Sequence, residues 1–262
     1  MKHEAARGVL LEVAYDGTGF HGWASQKGWR TVEETMQGAV LAIDPRAGEV
    51  RGASRTDAGV HADAQAVAFD TALAVPPRGW VLGLNQHLPD DVAVRVAHTV
   101  APGLEPRFAA RGKRYRYRVL VDNVRDPGWR TRAWRLPELD VEVLRREAEA
   151  ALGTHDFASF RSSADQRPST VRTLSRVEVE QDTDARVVSV VVEGNSFMHN
   201  MVRILVGTMV DVGRGRLEPG ALARAIEARD RRSAGTTAPA HGLVLEQVHL
   251  ELPDASTERW PP

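Results

Sequence analysis

Strand-like runs come in adjacent pairs separated by helical segments, and this order constrains the fold more than any single motif does. Val9 to Tyr15 alternates as a half-buried strand and ends in the turn Asp16-Gly17-Thr18-Gly19. Val32, Met36, Ala39, Val40 and Ile43 then recur at helical spacing behind Thr31, a candidate N-cap, and Pro45 closes the segment. Strands are expected at Val50 to Ser54, Ala64 to Phe69 and Val92 to Val100, with a helix over Pro77 to Gln86. The second half repeats the style, with strands at Lys113 to Val121, Val171 to Glu180, Val187 to Glu193 and Leu245 to Leu250. Its helices are expected at Val141 to Leu152, Phe197 to Val212 and Ala221 to Ala228. Consecutive strands with no helix between them pair antiparallel, because a parallel pair needs a long crossover. The pattern therefore favours α+β architecture, mostly antiparallel sheets with helices on one side, over a doubly wound parallel sheet.

At 262 residues the chain can form one large domain or two of ordinary size, and the join is expected near Pro102 to Arg111. The absence of cysteine excludes disulfide frameworks, thiolate nucleophiles, iron–sulfur clusters and cysteine zinc sites. Glu4, Arg7 and Glu12 interrupt any leader-like apolar run, and no uncharged apolar stretch approaches the ~18 residues of a membrane span. The expected compartment is the cytosol, with no membrane partner. Net charge is -1, so the chain as a whole has no electrostatic attraction for nucleic acid. Its distribution is uneven: between Glu105 and Arg135 ten basic residues face only Glu105, Asp122 and Asp126. A basic segment starting at the join is expected to lie beside a groove between two halves.

Chemistry is concentrated in three places. Gly52 to Ala62 sets Asp57 between two strands, with small residues on both sides and Arg55 two positions away. A cation there keeps a carboxylate ionised as a nucleophile or base, and the same pattern also describes a capping turn with a surface ion pair. His61 and Asp63 lack the companions of a metal site, and no Gly-x-Ser-x-Gly elbow or Gly-x-x-x-x-Gly-Lys phosphate loop is present. Lys113-Arg114-Tyr115-Arg116-Tyr117-Arg118 alternates cations with aromatics in strand register, which suits base stacking and phosphate contact, or equally an amphipathic strand with its tyrosines in the core. On the helix expected from Phe197, residues His199, Arg203 and Gly207 form a stripe beside the apolar face. Arg203 next to the smallest residue leaves room for an anion, or is a solvated helix arginine.

Taken in order, these segments resemble the TruA-type tRNA pseudouridine synthases. The matching stretches are Tyr15-Asp16-Gly17-Thr18 with Phe20 and Gly22-Trp23, then Ser54 to Ala62, then Asn85 with Leu88-Pro89 and Asp91-Val92, then Lys113 to Tyr117. Gly153 to Phe157, Gly194 to Arg203, Ala234-Gly235, Thr237 to Ala240 and Gly242-Leu243 extend the match through the second half. Glu33, Ser54 and Ala24-Ser25 depart from the family pattern. The resemblance implies isomerisation of uridine at positions 38, 39 and 40 of the tRNA anticodon stem-loop, by a homodimer that uses no cofactor and no metal. It implies two ferredoxin-like (RRM-like) halves, 1–108 and 109–262, whose sheets join into one around a basic cleft. Asp57 then matches the family's nucleophile, Tyr115 the tyrosine that stacks on the target base, with a candidate part in proton handling, and Arg203 the arginine that pairs with the aspartate, beside Arg55. Lys113, Arg114, Arg116 and His61 are the further expected substrate contacts. A non-catalytic RNA-binding α+β protein would use the basic segment but not Asp57 and Arg203, and a carboxylate-based nucleosidase would need no long basic surface.

Overall fold

The computed structural model describes residues 7–252 and 258–261; the part of the leader reading that rests on residues 1–6 lies outside them. The chain clusters into two compact units, Met1–Arg111 with Leu245–Pro262, and Gly112–Val244. The first unit is built from β1 (Arg7–Tyr15), α1 (Val32–Ile43), β2 (Arg51–Gly52), β3 (His61–Thr71), α2 (Pro77–His87), β4 (Val92–Val100) and the single turn α3 (Pro106–Ala109). β5 (Ala110–Val121) opens the second, followed by β6 (Trp134–Leu136), α4 (Val141–Glu149), β7 (Gly153–Asp156), β8 (Val171–Gln181), β9 (Val187–Gly194), α5 (Met201–Gly213) and α6 (Ala221–Ala228). β10 (Leu243–Leu250) leads back to the first unit, which β11 (Arg259–Trp260) completes. The stretch from Leu245, read above with the second half, thus clusters with the first.

Within the first unit the strands lie in the order β11, β4, β1, β3, with β10 beyond β3 and the short β2 also on β3. β1 pairs antiparallel with both β3 and β4, as the run of adjacent strands requires. Because side chains alternate, β1 fills two layers at once. Val9 and Leu11 stand opposite Phe69 and Val67, and Trp80 of α2 meets Phe69 edge-on at 5.0 Å. On the other face Leu10 packs with Ala53, Ala66 and Ala68 beneath Leu104, Leu250 and Leu252. Each large apolar side chain buried this way contributes about 1.5–3 kcal/mol. Asn85 clamps a bulge in β4, donating to the Val94 carbonyl and accepting from the Val94 N–H, both at 2.8 Å.

Thr31 occupies the N-cap position of α1, but its side chain makes no capping bond and its Oγ1 is buried without a partner. The first helical amides are taken by carbonyls from upstream instead: Val32 N–H donates to Gly22 at 3.2 Å and Glu33 N–H to Trp23 at 3.0 Å. Ser25 fastens the same loop to the helix, its N–H on Glu33 Oε2 and its hydroxyl on Glu34 Oε1, at 2.7 and 2.6 Å.

The second unit orders its strands β5, β9, β8, β7, all antiparallel, with β6 parallel on β5. Tyr115 stands opposite Val192 and Tyr117 opposite Val190 in the β5–β9 register. Glu147 of α4 accepts from Gly220 N–H and Leu222 N–H at 2.5 and 2.9 Å, capping α6, whose own N-cap glycine has no side chain to offer. α5 begins at Met201, four residues later than the apolar spacing suggests, because Asn200 takes a left-handed conformation with φ of 63°. His199 is therefore outside the helix, and the expected stripe from His199 through Gly207 reduces to Arg203 and Gly207.

Candidate active site

Asp57 sits half-buried in the turn between β2 and β3, where the Val60 N–H closes back onto its carbonyl at 3.1 Å. Gly59 in this turn has φ of 79°, a conformation that glycine adopts without strain. The flanks of the turn are pinned one residue at a time. Gln65 of β3 accepts from Ser54 N–H at 3.1 Å and donates to the Ser54 carbonyl at 2.6 Å. The Tyr15 and Thr56 hydroxyls share a buried hydrogen bond of 2.8 Å. Trp23 N–H donates to the Thr56 carbonyl at 3.0 Å, and Gly59 N–H to the Phe20 carbonyl at 3.3 Å.

Two glycines let the backbones approach this closely. A Cβ on Gly22, whose φ is 91°, would lie 2.6 Å from the Thr56 oxygen, and one on Gly17 would lie 2.0 Å from the Val60 oxygen. The segment 20–23 thus has two jobs, since the Gly22 and Trp23 carbonyls that cap α1 belong to the strip that braces the Asp57 turn. Arg55 is exposed on the turn. His61 is only 1% exposed, and its Nδ1 faces the Gly17 N–H at 3.1 Å and Asp16 Oδ1 at 3.2 Å. That position makes His61 a support of the Asp16-Gly17 turn, buried beneath the surface on which it was expected to meet substrate.

In the second unit, Arg203 is held by its guanidinium. Nε donates to the Ala238 carbonyl at 2.8 Å and Nη1 to Asn200 Oδ1 at 2.6 Å, while the Arg203 carbonyl accepts from Ala238 N–H at 3.0 Å. The extended segment 235–239 that supplies these contacts is fixed along its length. Thr208 Oγ1 accepts from Gly235 N–H, Asp211 Oδ2 accepts from Thr236 N–H, and the Tyr117 hydroxyl donates to the Pro239 carbonyl, at 2.9, 2.8 and 2.8 Å. Gly207 makes room for this segment and not for an anion: a Cβ there would lie 1.8 Å from the Thr236 carbonyl oxygen.

The two tyrosines of β5 divide their roles. Tyr117 is fully buried, and burial pushes its phenol far above the ordinary value, with the Arg203 charge opposing that shift. It is the packing residue that the amphipathic-strand alternative anticipates. Tyr115 is 7% exposed and meets Phe197 edge-on at 5.1 Å. The arginines on either side of Tyr115 are already engaged with acidic neighbours in the sheet. Arg114 Nε contacts Glu193 and Arg116 Nη1 contacts Glu180, both at 2.7 Å. Lys113 is half-buried at the head of the same strand. Among the described residues no cluster of His, Asp and Glu is placed to hold a metal ion, and no helix is long and apolar enough to cross a membrane.

The braces of the Asp57 turn were not singled out from sequence as such. Gln65 carried a signal, being an amide inside an apolar strand run, whereas Tyr15 and Gly22 were visible only as members of matching stretches. Asn200 and Ala238 gave none, since neither residue type announces an arginine clamp.

The sequence profile described as tRNA pseudouridine synthase matches residues 12–108 and 148–250. The chain belongs to this family. The tRNA pseudouridine synthase A of Acetivibrio thermocellus is 39% identical over 244 residues, 93% of this chain and 99% of that one. Those of Geobacter sulfurreducens and Myxococcus xanthus are 40% and 41% identical, covering 93% and 95% of this chain and 100% and 94% of their own lengths. Within this member of the tRNA pseudouridine synthases, the first matched segment holds the Asp57 turn with Gly22 and Gln65, and the second holds Arg203 with Asn200 and Ala238. Tyr115 lies between the two matched segments.

Proposed function

We propose that the chain isomerises uridine to pseudouridine in tRNA, acting on positions 38, 39 and 40 of the anticodon stem-loop. The bond from uracil N1 to ribose C1′ breaks, the base turns, and a C5–C1′ bond forms. The C5 proton is released and N1 is left protonated, so the product is an isomer and no cofactor or metal is consumed. Asp57 acts as the nucleophile, Arg203 as its ion-pair partner with Arg55 beside it, and Tyr115 stacks on the target base. Extruding that base from its stack costs a few kcal/mol, which aromatic stacking and phosphate contacts offset. Two ferredoxin-like halves with joined sheets, a basic cleft between them, a homodimeric assembly and a cytoplasmic location complete this reading.

The observation that carries it is the bracing of the Asp57 turn by Gly22, Tyr15 and Gln65. A capping aspartate needs no such frame, whereas a nucleophile must be held close to its attack geometry to gain from proximity. Tritium release from tRNA labelled at uracil C5 tests the reading, with wild type set against Asp57→Asn and the modified positions mapped. Release by wild type alone, confined to the anticodon arm, is expected. Intact tRNA binding without release would leave a non-catalytic RNA-binding protein, and activity on free uridine would leave a nucleosidase.

A further inference from the structure

Strand β8 carries an arginine whose burial the fold does not balance. Arg172 is 7% exposed, its Nη1 donates to the Val171 carbonyl at 2.6 Å, and its Nε is buried with no acceptor. No carboxylate among the described residues forms an ion pair with it. The charged groups that face it are Arg167 and Asp165, and Asp165 is already saturated. Arg167 Nε lies 2.9 and 3.0 Å from its two oxygens, Arg167 Nη2 adds a further bond, and the Arg167 and His199 N–H groups donate at 3.1 and 2.8 Å. A third guanidinium, Arg161, donates to the Arg167 carbonyl at 3.1 Å and has no carboxylate of its own among the described residues. Arg167 and Arg172 therefore share one engaged anion, and Arg161 adds a third cation beside Arg167.

A buried guanidinium without a counter-charge is costly, and proteins keep such groups where a ligand supplies the missing anion. The cluster also sits beside the candidate chemistry. Arg167 Nη1 holds the Phe197 carbonyl at 2.8 Å, and the Phe197 ring packs on Tyr115. Planar guanidiniums match the oxygens of a phosphate diester, which has two free oxygens and one negative charge. We propose that Arg172, with Arg161 and Arg167, forms a phosphodiester site that takes a backbone phosphate of the RNA strand flanking the nucleotide on Tyr115. The owner of the phosphate rests on the tRNA reading above; the need for an anion does not.

The test compares wild type with Arg172→Met, Arg172→Lys and Arg161→Gln by tRNA affinity between about 0.05 and 0.2 M salt, thermal unfolding and tritium release. Arg172→Met is expected to bind tRNA about tenfold more weakly. Its salt slope should fall by roughly the 0.7–0.9 of one phosphate contact. Its unfolding temperature should stay level or rise, because an unbalanced buried charge has been removed. Turnover at saturating tRNA should change far less than KM, Arg172→Lys should keep most of the slope, and Arg161→Gln should shift the slope in the same direction. An unchanged slope in Arg172→Met and Arg161→Gln overturns the site. So does a lowered unfolding temperature in Arg172→Met with the Arg161→Gln slope unchanged, which makes Arg172 a packing residue. Inorganic phosphate competing equally with both wild type and Arg172→Met would show an adventitious ion only, and also overturns it. If wild type releases no tritium while the slopes still fall, the isomerase reading fails and the phosphate site stands.

Discussion

Asp57 and Arg203 are positioned by opposite means. The turn under Asp57 is fixed through its backbone and its neighbours: Gln65 grips both main-chain polar groups of Ser54, Trp23 and Phe20 bond to the main chain, and Tyr15 bonds to Thr56. Arg203 is fixed through its charged head, which Ala238 and Asn200 hold directly, and that head in turn helps to hold the segment 235–239. A frame built on its neighbours survives a change at the Asp57 carboxylate. A frame that includes the guanidinium does not survive its removal. The two groups should therefore differ in whether function can be separated from folding.

The largest effect separates them at Asp57. Asp57→Asn keeps the size of the side chain and leaves the braces on Ser54, Thr56 and Gly59 in place, so thermal unfolding should move by about 1 kcal/mol or less. Tritium release should fall by roughly 10⁴-fold or more, the scale of losing a nucleophile. A marked drop in stability would show that the carboxylate is itself part of the frame and would remove the contrast. Gly22→Ala approaches the same turn from outside. The added Cβ would meet the Thr56 carbonyl oxygen at 2.6 Å from a residue whose φ is 91°, so either the turn or the segment 20–23 must move. About 2–3 kcal/mol of stability should be lost. Turnover should fall by roughly 10- to 100-fold through misplacement, with tRNA affinity held. Loss of stability with full turnover would mean that the brace serves folding only.

The contrast also explains which parts could be seen in the sequence. The long strands and helices were legible because each buries a regular face, as β1 does with Val9 and Leu11 on one side and Leu10 on the other. β6, β7 and β11 are too short to show a period, and α3 is a single turn. The start of α5 was displaced by one backbone conformation, the positive φ at Asn200, which apolar spacing cannot register. Asp57, Tyr115 and Arg203 stood out because their residue types suit chemistry. Their supports did not, since a Gly22 that admits a carbonyl and an Ala238 that offers one look like any other small residue. Gly207 shows the cost of reasoning from size alone: the space beside Arg203 is real, and backbone fills it.

Arg203→Lys sharpens the comparison from the other side. A lysine keeps the charge but has no fork, so it cannot bond Ala238 and Asn200 with the same geometry. The loss of one charged hydrogen bond should cost about 1.5–3 kcal/mol. Turnover should fall together with stability, with tRNA affinity nearly constant, and thermal unfolding beside tritium release reads both. Equal losses in turnover and in tRNA affinity would place Arg203 on a phosphate instead.

Tyr15→Phe gives the smallest effect and the finest reading of the Asp57 frame. Removing the phenol oxygen leaves Thr56 Oγ1 without its 2.8 Å partner at a site where both residues are buried. An orphaned buried hydroxyl costs about 1–3 kcal/mol. Replacing both partners, Tyr15→Phe with Thr56→Val, removes the orphan and should recover part of that loss, so the two changes should couple by at least about 0.5 kcal/mol in a double-mutant cycle. Turnover decides what the bond is for. If the hydroxyl pair only fills the core, the double variant should recover stability and turnover together. If the bond sets the angle at which the turn presents Asp57, stability should recover while tritium release stays low, because two apolar side chains restore packing without restoring a directional contact.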